Sequence, residues 1–214
     1  FSVIRDGMAG VGKATTVAKL RLALSKEVTE EIFSNYKEHY TMYKGALREA
    51  NENLKKISES QKALKKELQR EKDRSRQLEI IKKGKENEGK FRITKQDRLL
   101  TKKMYEEYRF MEGIDDTEAF KDIIKTCRFW GETWAISTLE RVLNIKLILM
   151  SRESYSDGDM DNVLQCGQLN DIILQNRGSF EPSHYIIVDY NGSHFQLIKY
   201  KRRTALRFKE IPYD

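Results

Sequence analysis

Cysteine is nearly absent from this chain of 214 residues: only Cys127 and Cys166 occur, too few for a disulfide framework, and a reducing compartment is expected. No apolar run approaches the roughly 18–20 residues that cross a bilayer, and no charged, apolar and small-residue leader is present, so no membrane partner is expected. Proline is missing throughout residues 36–112. An initiating Met is missing too, and with the abrupt close at Glu210-Ile211-Pro212-Tyr213-Asp214 both ends are expected to be cut from something longer.

What is present is charge. The net +7 is unevenly placed: residues 36–112 hold 22 Lys and Arg against 14 Asp and Glu, or +8, leaving 18 against 19, or −1, elsewhere. In that basic segment Tyr43, Leu47, Ala50, Leu54, Ile57, Gln61, Leu64 and Leu68 alternate at steps of four and three, the a/d seam of a coiled coil. The seam fades after Leu68. Gly84 and Gly89 bound a polar break that is expected to end this helix and turn the chain, with Leu100, Met104, Tyr108 and Met111 as the face of a returning helix. The expectation is a projecting helical hairpin over 36–112 inserted into a domain formed by 1–35 and 113–214.

Outside the hairpin, Thr15 and Thr16 can cap an amphipathic helix, Thr117 another with Phe120, Ile123 and Ile124 inward, and Trp134–Leu143 a third with Ile136, Leu139, Val142 and Leu143 inward. Three strands are expected over 146–150, 185–190 and 194–200, the last two antiparallel through Asn191-Gly192, with a short fourth at 208–211.

The opening Gly7-Met8-Ala9-Gly10-Val11-Gly12-Lys13 has the spacing of a phosphate-cradling loop, with Phe1–Ile4 as the strand ahead of it. Ala14 stands where the metal-binding hydroxyl belongs, Thr15 and Thr16 come one residue late, and Asp189 lies in a hairpin rather than a crossover sheet. Nucleotide binding is therefore the third reading, and no cofactor is expected.

A different pattern lies further along. Phe129-Trp130-Gly131-Glu132-Thr133-Trp134-Ala135-Ile136 leads to Leu143-Asn144-Ile145-Lys146-Leu147-Ile148-Leu149, and Gly192-Ser193-His194-Phe195-Gln196-Leu197-Ile198 follows. Together these resemble the ovarian-tumour (OTU) cysteine protease family, in wording most like its large-DNA-virus members. The resemblance covers residues 1–24 and about 115–214, and it implies an α/β (α+β) papain-type fold with a small mixed sheet interrupted by the hairpin. It also implies a thiol-dependent deubiquitinase acting on ubiquitin or a ubiquitin-like modifier, in the host cytoplasm or the virion.

The family opens on Asp-Gly-polar-Cys ahead of an aromatic and apolar helix. In one register Phe1-Ser2-Val3-Ile4 follow a cysteine lying just upstream, with Ser2 departing from the usual Arg. In the other, Asp6-Gly7-Met8-Ala9 match, and Ala9 replaces the nucleophile. The first is preferred, because the second asks Gly10 and Gly12 to sit inside the nucleophile's helix at up to about 1 kcal/mol each. Neither register leaves a nucleophile within the chain.

By the same resemblance His194 is the general base and Gln196 stands where family members carry the orienting Asp or Asn; Asp189 and Asn191 are the alternative orienting groups. His184 is a rival base. Cys127 and Cys166 read as packing thiols, Trp130 and Trp134 as core residues on one helical face, and Glu132 as a first-turn acid. For the basic hairpin, protein contact or self-association is preferred over nucleic acid, because acids are interspersed and aromatics are rare in its middle. The second function hypothesis is a catalytically silent viral structural protein that keeps the fold and uses the hairpin.

Overall fold

The computed structural model describes residues 1–131, 133–159, 162–164, 181–192 and 194–212. The fold is mixed, mostly helical with a small sheet. It divides into a sheet unit, Phe1–Thr29 with Thr117–Asp214, and a hairpin unit, Glu30–Asp116.

In the sheet unit, α1 (Ser2–Ala9) buries Ile4, Gly7 and Met8, a three-and-four spacing that forms one face. Two glycines of the opening motif have packing reasons and the third a backbone one. A Cβ on Gly7 would stand 2.5 Å from Ile186 Cδ1, one on Gly10 would stand 1.8 Å from Thr204 Oγ1, and Gly12 adopts φ +73°. Phe1–Ile4 are not extended, so the strand that a phosphate loop requires ahead of its glycines is a helix instead. Ala9 ends α1, at the pole that disfavours a thiolate.

Thr16 caps α2 (Val17–Lys26), its Oγ1 accepting from Lys19 N at 3.1 Å. From α2, Leu20 and Leu24 enter a core shared with Phe120 and Ile124 of α5 (Thr117–Ile124) and with Phe129. In α6 (Thr133–Leu143), Leu139 faces inward as expected, but Val142 is exposed and Glu140 is fully buried. The Glu140 carboxylate accepts from Lys146 Nζ at 3.0 and 3.2 Å and from Leu147 N at 2.8 Å. Such a buried charge persists because its partners accompany it. The pair ties α6 to β1 (Ile145–Ser151) across Asn144, which takes φ 53°.

After β1 come α7 (Arg152–Ser156), β2 (Val163–Leu164), β3 (His184–Tyr190) and β4 (Phe195–Leu197). The strand order is β2-β1-β3-β4. β1 and β3 run parallel from Ile145 opposite His184 to Ser151 opposite Tyr190, while β2 and β4 are antiparallel additions. The antiparallel pair around Asn191-Gly192 forms as the sequence indicates, with Gly192 at φ +87°, but β4 is shorter than 194–200. Residues 208–210 form a 3₁₀ turn rather than a fourth strand, and β2 fills that place at the opposite edge. Glu132 and Cys166 lie outside the described residues.

In the hairpin unit, α3 (Glu30–Arg70) half-buries Tyr43, Leu47, Ala50, Leu54, Ile57, Gln61, Leu64 and Leu68, the seam read from spacing. The turn comes where that seam stops and not at the glycines. Asp73 Oδ1 accepts from Arg76 N at 2.9 Å, capping α4 (Arg74–Tyr108), and Glu71 Oε1 accepts from Lys72 N and Asp73 N. Gly84 and Gly89 stay helical inside α4, because a strong cap outweighs a propensity cost of about 1 kcal/mol per glycine.

The returning face is also corrected. Leu100 and Met104 are exposed, and Met111 is buried as expected but belongs to a short 3₁₀ turn. The face toward α3 runs through Thr101, Tyr105 and Tyr108, so Tyr108 holds the expected face, its ring beside those of Tyr36, His39 and Tyr43. Its register follows from Tyr40 stacking on Tyr105 at 6.0 Å, Arg98 Nε donating to Asn51 Oδ1 at 2.5 Å and Asn87 Nδ2 donating to Ser60 Oγ at 2.8 Å. Among the described residues no helix is long and apolar enough to cross a membrane.

Candidate active-site cleft

Within the sheet unit, a cleft of 380 Å³ opens between the first turn of α1 and the β3–β4 turn. Its walls include Phe1, Ser2, Cys127, Trp130, His194 and Phe195, over a floor of Leu147, Leu149 and Val188. The lining is chiefly apolar, which suits a site that orders a substrate chain while excluding water.

Phe1 is the N-cap of α1 with no side-chain cap, and residues 1–4 line this cleft, so the first-turn amides beside it have no intrahelical partners of their own. Arg21 fixes the wall around it. Its guanidinium lies 4.3 Å from the Phe1 ring centroid, while Nη1 donates to Ile124 O at 2.9 Å and both Nη1 and Nη2 donate to Phe129 O at 3.2 Å. Burial lowers the Arg21 pKa from its ordinary value, with nearby Cys127 acting in the opposite direction.

His194 is exposed on the opposite wall, and its position is set through the backbone. Asn191 Oδ1 accepts from His194 N at 2.9 Å, and Asn191 N donates back to His194 O at 3.2 Å. Behind it Tyr190 stacks on Phe195, with centroids 4.7 Å apart. The His194 ring makes no hydrogen bond to another described side chain.

Asp189 and Gln196 are not brought to that ring. They sit opposite each other in the β3–β4 register, away from Val188 and Phe195, which line the cleft. Both border a separate 430 Å³ recess with Arg152 and Tyr155, where Arg152 Nη2 donates to Asp189 Oδ2. The i, i+2 rule would place His194 and Gln196 on one face, but β4 begins only at Phe195. His194 belongs to the turn, where the two-residue period does not hold. Of the four residues named from sequence, the structure therefore joins His194 with Asn191 and separately pairs Asp189 with Gln196. His184 occupies the far end of β3, about 20 Å along the strand by its six-residue separation from Tyr190.

Three wall residues escaped the sequence reading. Trp130 is 68% exposed rather than core, because α6 begins at Thr133 and the helical face assumed for Trp130 does not exist there. Cys127 is exposed on the cleft instead of packed away. Arg21 gave no signal, since its acceptors lie more than 100 residues distant. The Gly131 beside Trp130 was the available hint of a break. Among the described residues no three His, Cys, Asp or Glu side chains gather into a metal site.

Compared with protein-family models, curated proteins and solved structures, the chain matches none.

Proposed function

We propose that the sheet unit is an OTU-like thiol hydrolase that cleaves isopeptide bonds to ubiquitin or a ubiquitin-like modifier. The observation that carries this reading is that the first turn of α1 and His194 wall the same apolar cleft. A cysteine immediately ahead of Phe1 sits at the positive pole of α1, where free amides and the helix dipole favour the thiolate. His194 withdraws the thiol proton, and the sulfur attacks the carbonyl carbon. The C–N bond then breaks as the imidazolium returns its proton to the departing lysine amine, and water hydrolyses the thioester to restore the thiol. Asn191 sets the position of His194, and among the described residues no carboxylate is hydrogen-bonded to the imidazole, Asp189 being engaged by Arg152. The protein acts in the host cytoplasm or the virion, and the hairpin serves protein contact.

The separation of Asp189 and Gln196 from His194 favours a second reading, a catalytically silent scaffold whose hairpin makes the working contacts. The test uses the gene product extended upstream of Phe1, incubated with a ubiquitin probe carrying a thiol-reactive C-terminus. A covalent adduct that His194→Ala abolishes without loss of fold supports the hydrolase. No adduct from a folded protein, or an adduct indifferent to His194→Ala, rules it out in favour of the scaffold.

A further inference from the structure

Residues 199–210 form a second charged feature that the cleft does not use. Lys199, Lys201, Arg202, Arg203, Arg207 and Lys209 stand against a single acid, Glu210. Glu210 is already engaged: it accepts from Arg203 Nη1 and, through Oε2, from Arg207 N at 2.9 Å. Among the described residues the other cations form no salt bridge, although the charge of Lys199 acts on Asp6 and that of Arg207 on Glu210, and all six are exposed.

The backbone there is strained in an unusual way. Tyr200 and Arg203 exchange both hydrogen bonds, at 3.0 and 2.9 Å, closing a two-residue hairpin. Its central residues Lys201 and Arg202 have φ of 47° and 68°. This is the positive-φ pair of a type I′ turn, which Asn-Gly adopts with least strain and which long side chains occupy at a cost. The same chain places glycine at a positive φ in its other hairpin, at Gly192. Strain of this kind persists where the side chains are needed. Here it holds two cations side by side at the tip of a fixed turn.

An aromatic surface lies beside them. Phe208 is 67% exposed and rests on Tyr185, with centroids 6.0 Å apart. The aliphatic neighbours Ala205 and Leu206 are buried, so among the described residues 199–210 a single ring, Phe208, is the exposed large apolar side chain, a smaller area than an interfacial membrane anchor buries. Cations that track a phosphate backbone, next to an exposed ring on which a base stacks, are the recognition chemistry of single-stranded nucleic acid. We infer that the Lys201-Arg202 turn with Arg207 and Phe208 is a binding site for single-stranded nucleic acid.

The test is fluorescence anisotropy of the full chain with a labelled mixed-sequence single strand of about 20 nucleotides, across a series of salt concentrations. The decisive variant, Lys201→Asn with Arg202→Gly, relieves the turn, so it is expected to melt a few degrees higher while binding at least tenfold more weakly. Its slope of log affinity against log salt is expected to fall in magnitude by about 1.4, or 0.7 for each cation lost. Phe208→Ala is expected to bind about tenfold more weakly with an unchanged salt slope. Lys82→Gln with Lys83→Gln and Lys85→Gln, in the hairpin unit, is expected to bind as the parent does. The inference fails if the parent does not bind, if the turn variant binds unchanged, or if the hairpin variant alone loses binding. It also fails if phosphatidylserine vesicles or an acidic peptide bind through the turn as tightly as the single strand does.

Discussion

The sheet unit and the hairpin unit treat the same residue, glycine, in opposite ways. Gly7 lies where α1 presses on Ile186, and even a methyl group would collide there. Gly84 and Gly89, inside α4, have nothing within 4 Å of where a Cβ would stand. The difference reflects how each unit is held together. The sheet unit closes a dry core from residues far apart in sequence, Leu20, Phe120, Phe129, Leu139 and Ile186 among them, each with an exposure of 2% or less. The hairpin unit concentrates rings near its base, Tyr36, Tyr40, Tyr105, Tyr108 and Phe110, while Gln61, Asn87 and Arg98 make its seam polar further out. Packing decides what is tolerated in the first, and helix propensity and capping decide it in the second.

Truncating Phe120 to Ala tests that contrast most severely. Loss of a fully buried ring is expected to destabilise the sheet unit by about 3–5 kcal/mol, seen as an earlier denaturant midpoint in the fluorescence of Trp130 and Trp134, both of which lie in that unit. A shift under 1 kcal/mol would show that the core is loose. Next in size, Gly7→Ala is expected to cost about 1–3 kcal/mol by overpacking against Ile186. Gly84→Ala and Gly89→Ala are expected to change sign, each stabilising the hairpin by up to about 1 kcal/mol in thermal melts followed by helical circular dichroism. A loss of stability at both would mean that those glycines are needed for something besides the helix.

The smallest effect concerns pH. The Glu210 carboxyl is held below its ordinary value of 4.5, first by the Arg207 amide and then by the Arg203 guanidinium. A carboxyl with a depressed folded pKa contributes stability above its unfolded pKa and loses it as pH falls through the folded one. The melting temperature of the parent is therefore expected to exceed that of Glu210→Gln at neutral pH, and the gap to close below about pH 4.5. A gap that is constant with pH would remove charge as its cause.

The parts of this fold legible in the sequence are those with short-range causes. The α3 seam, the Thr16 cap and the antiparallel pair at Asn191-Gly192 each follow from spacing or from backbone preference within a few residues. The hairpin's turn was misplaced because two glycines drew more weight than Asp73, whose carboxylate caps α4. On the returning face Tyr108 was legible and Leu100 and Met104 were not, because stacked tyrosines set the register.

In the cleft, sequence pointed to His194 and tied Asn191 to the same turn. Whether Gln196 could reach His194 depended on where β4 begins, a property of its pairing with β3. Arg21 and Trp130 became wall residues only when α2, α5 and the segment before α6 met. Local composition thus determined the long helices, the strands β1 and β3 and the basic character of residues 36–112. Tertiary structure decided which side chains share a cleft, because that depends on contacts between residues more than 100 positions apart, whose pairing no local spacing encodes.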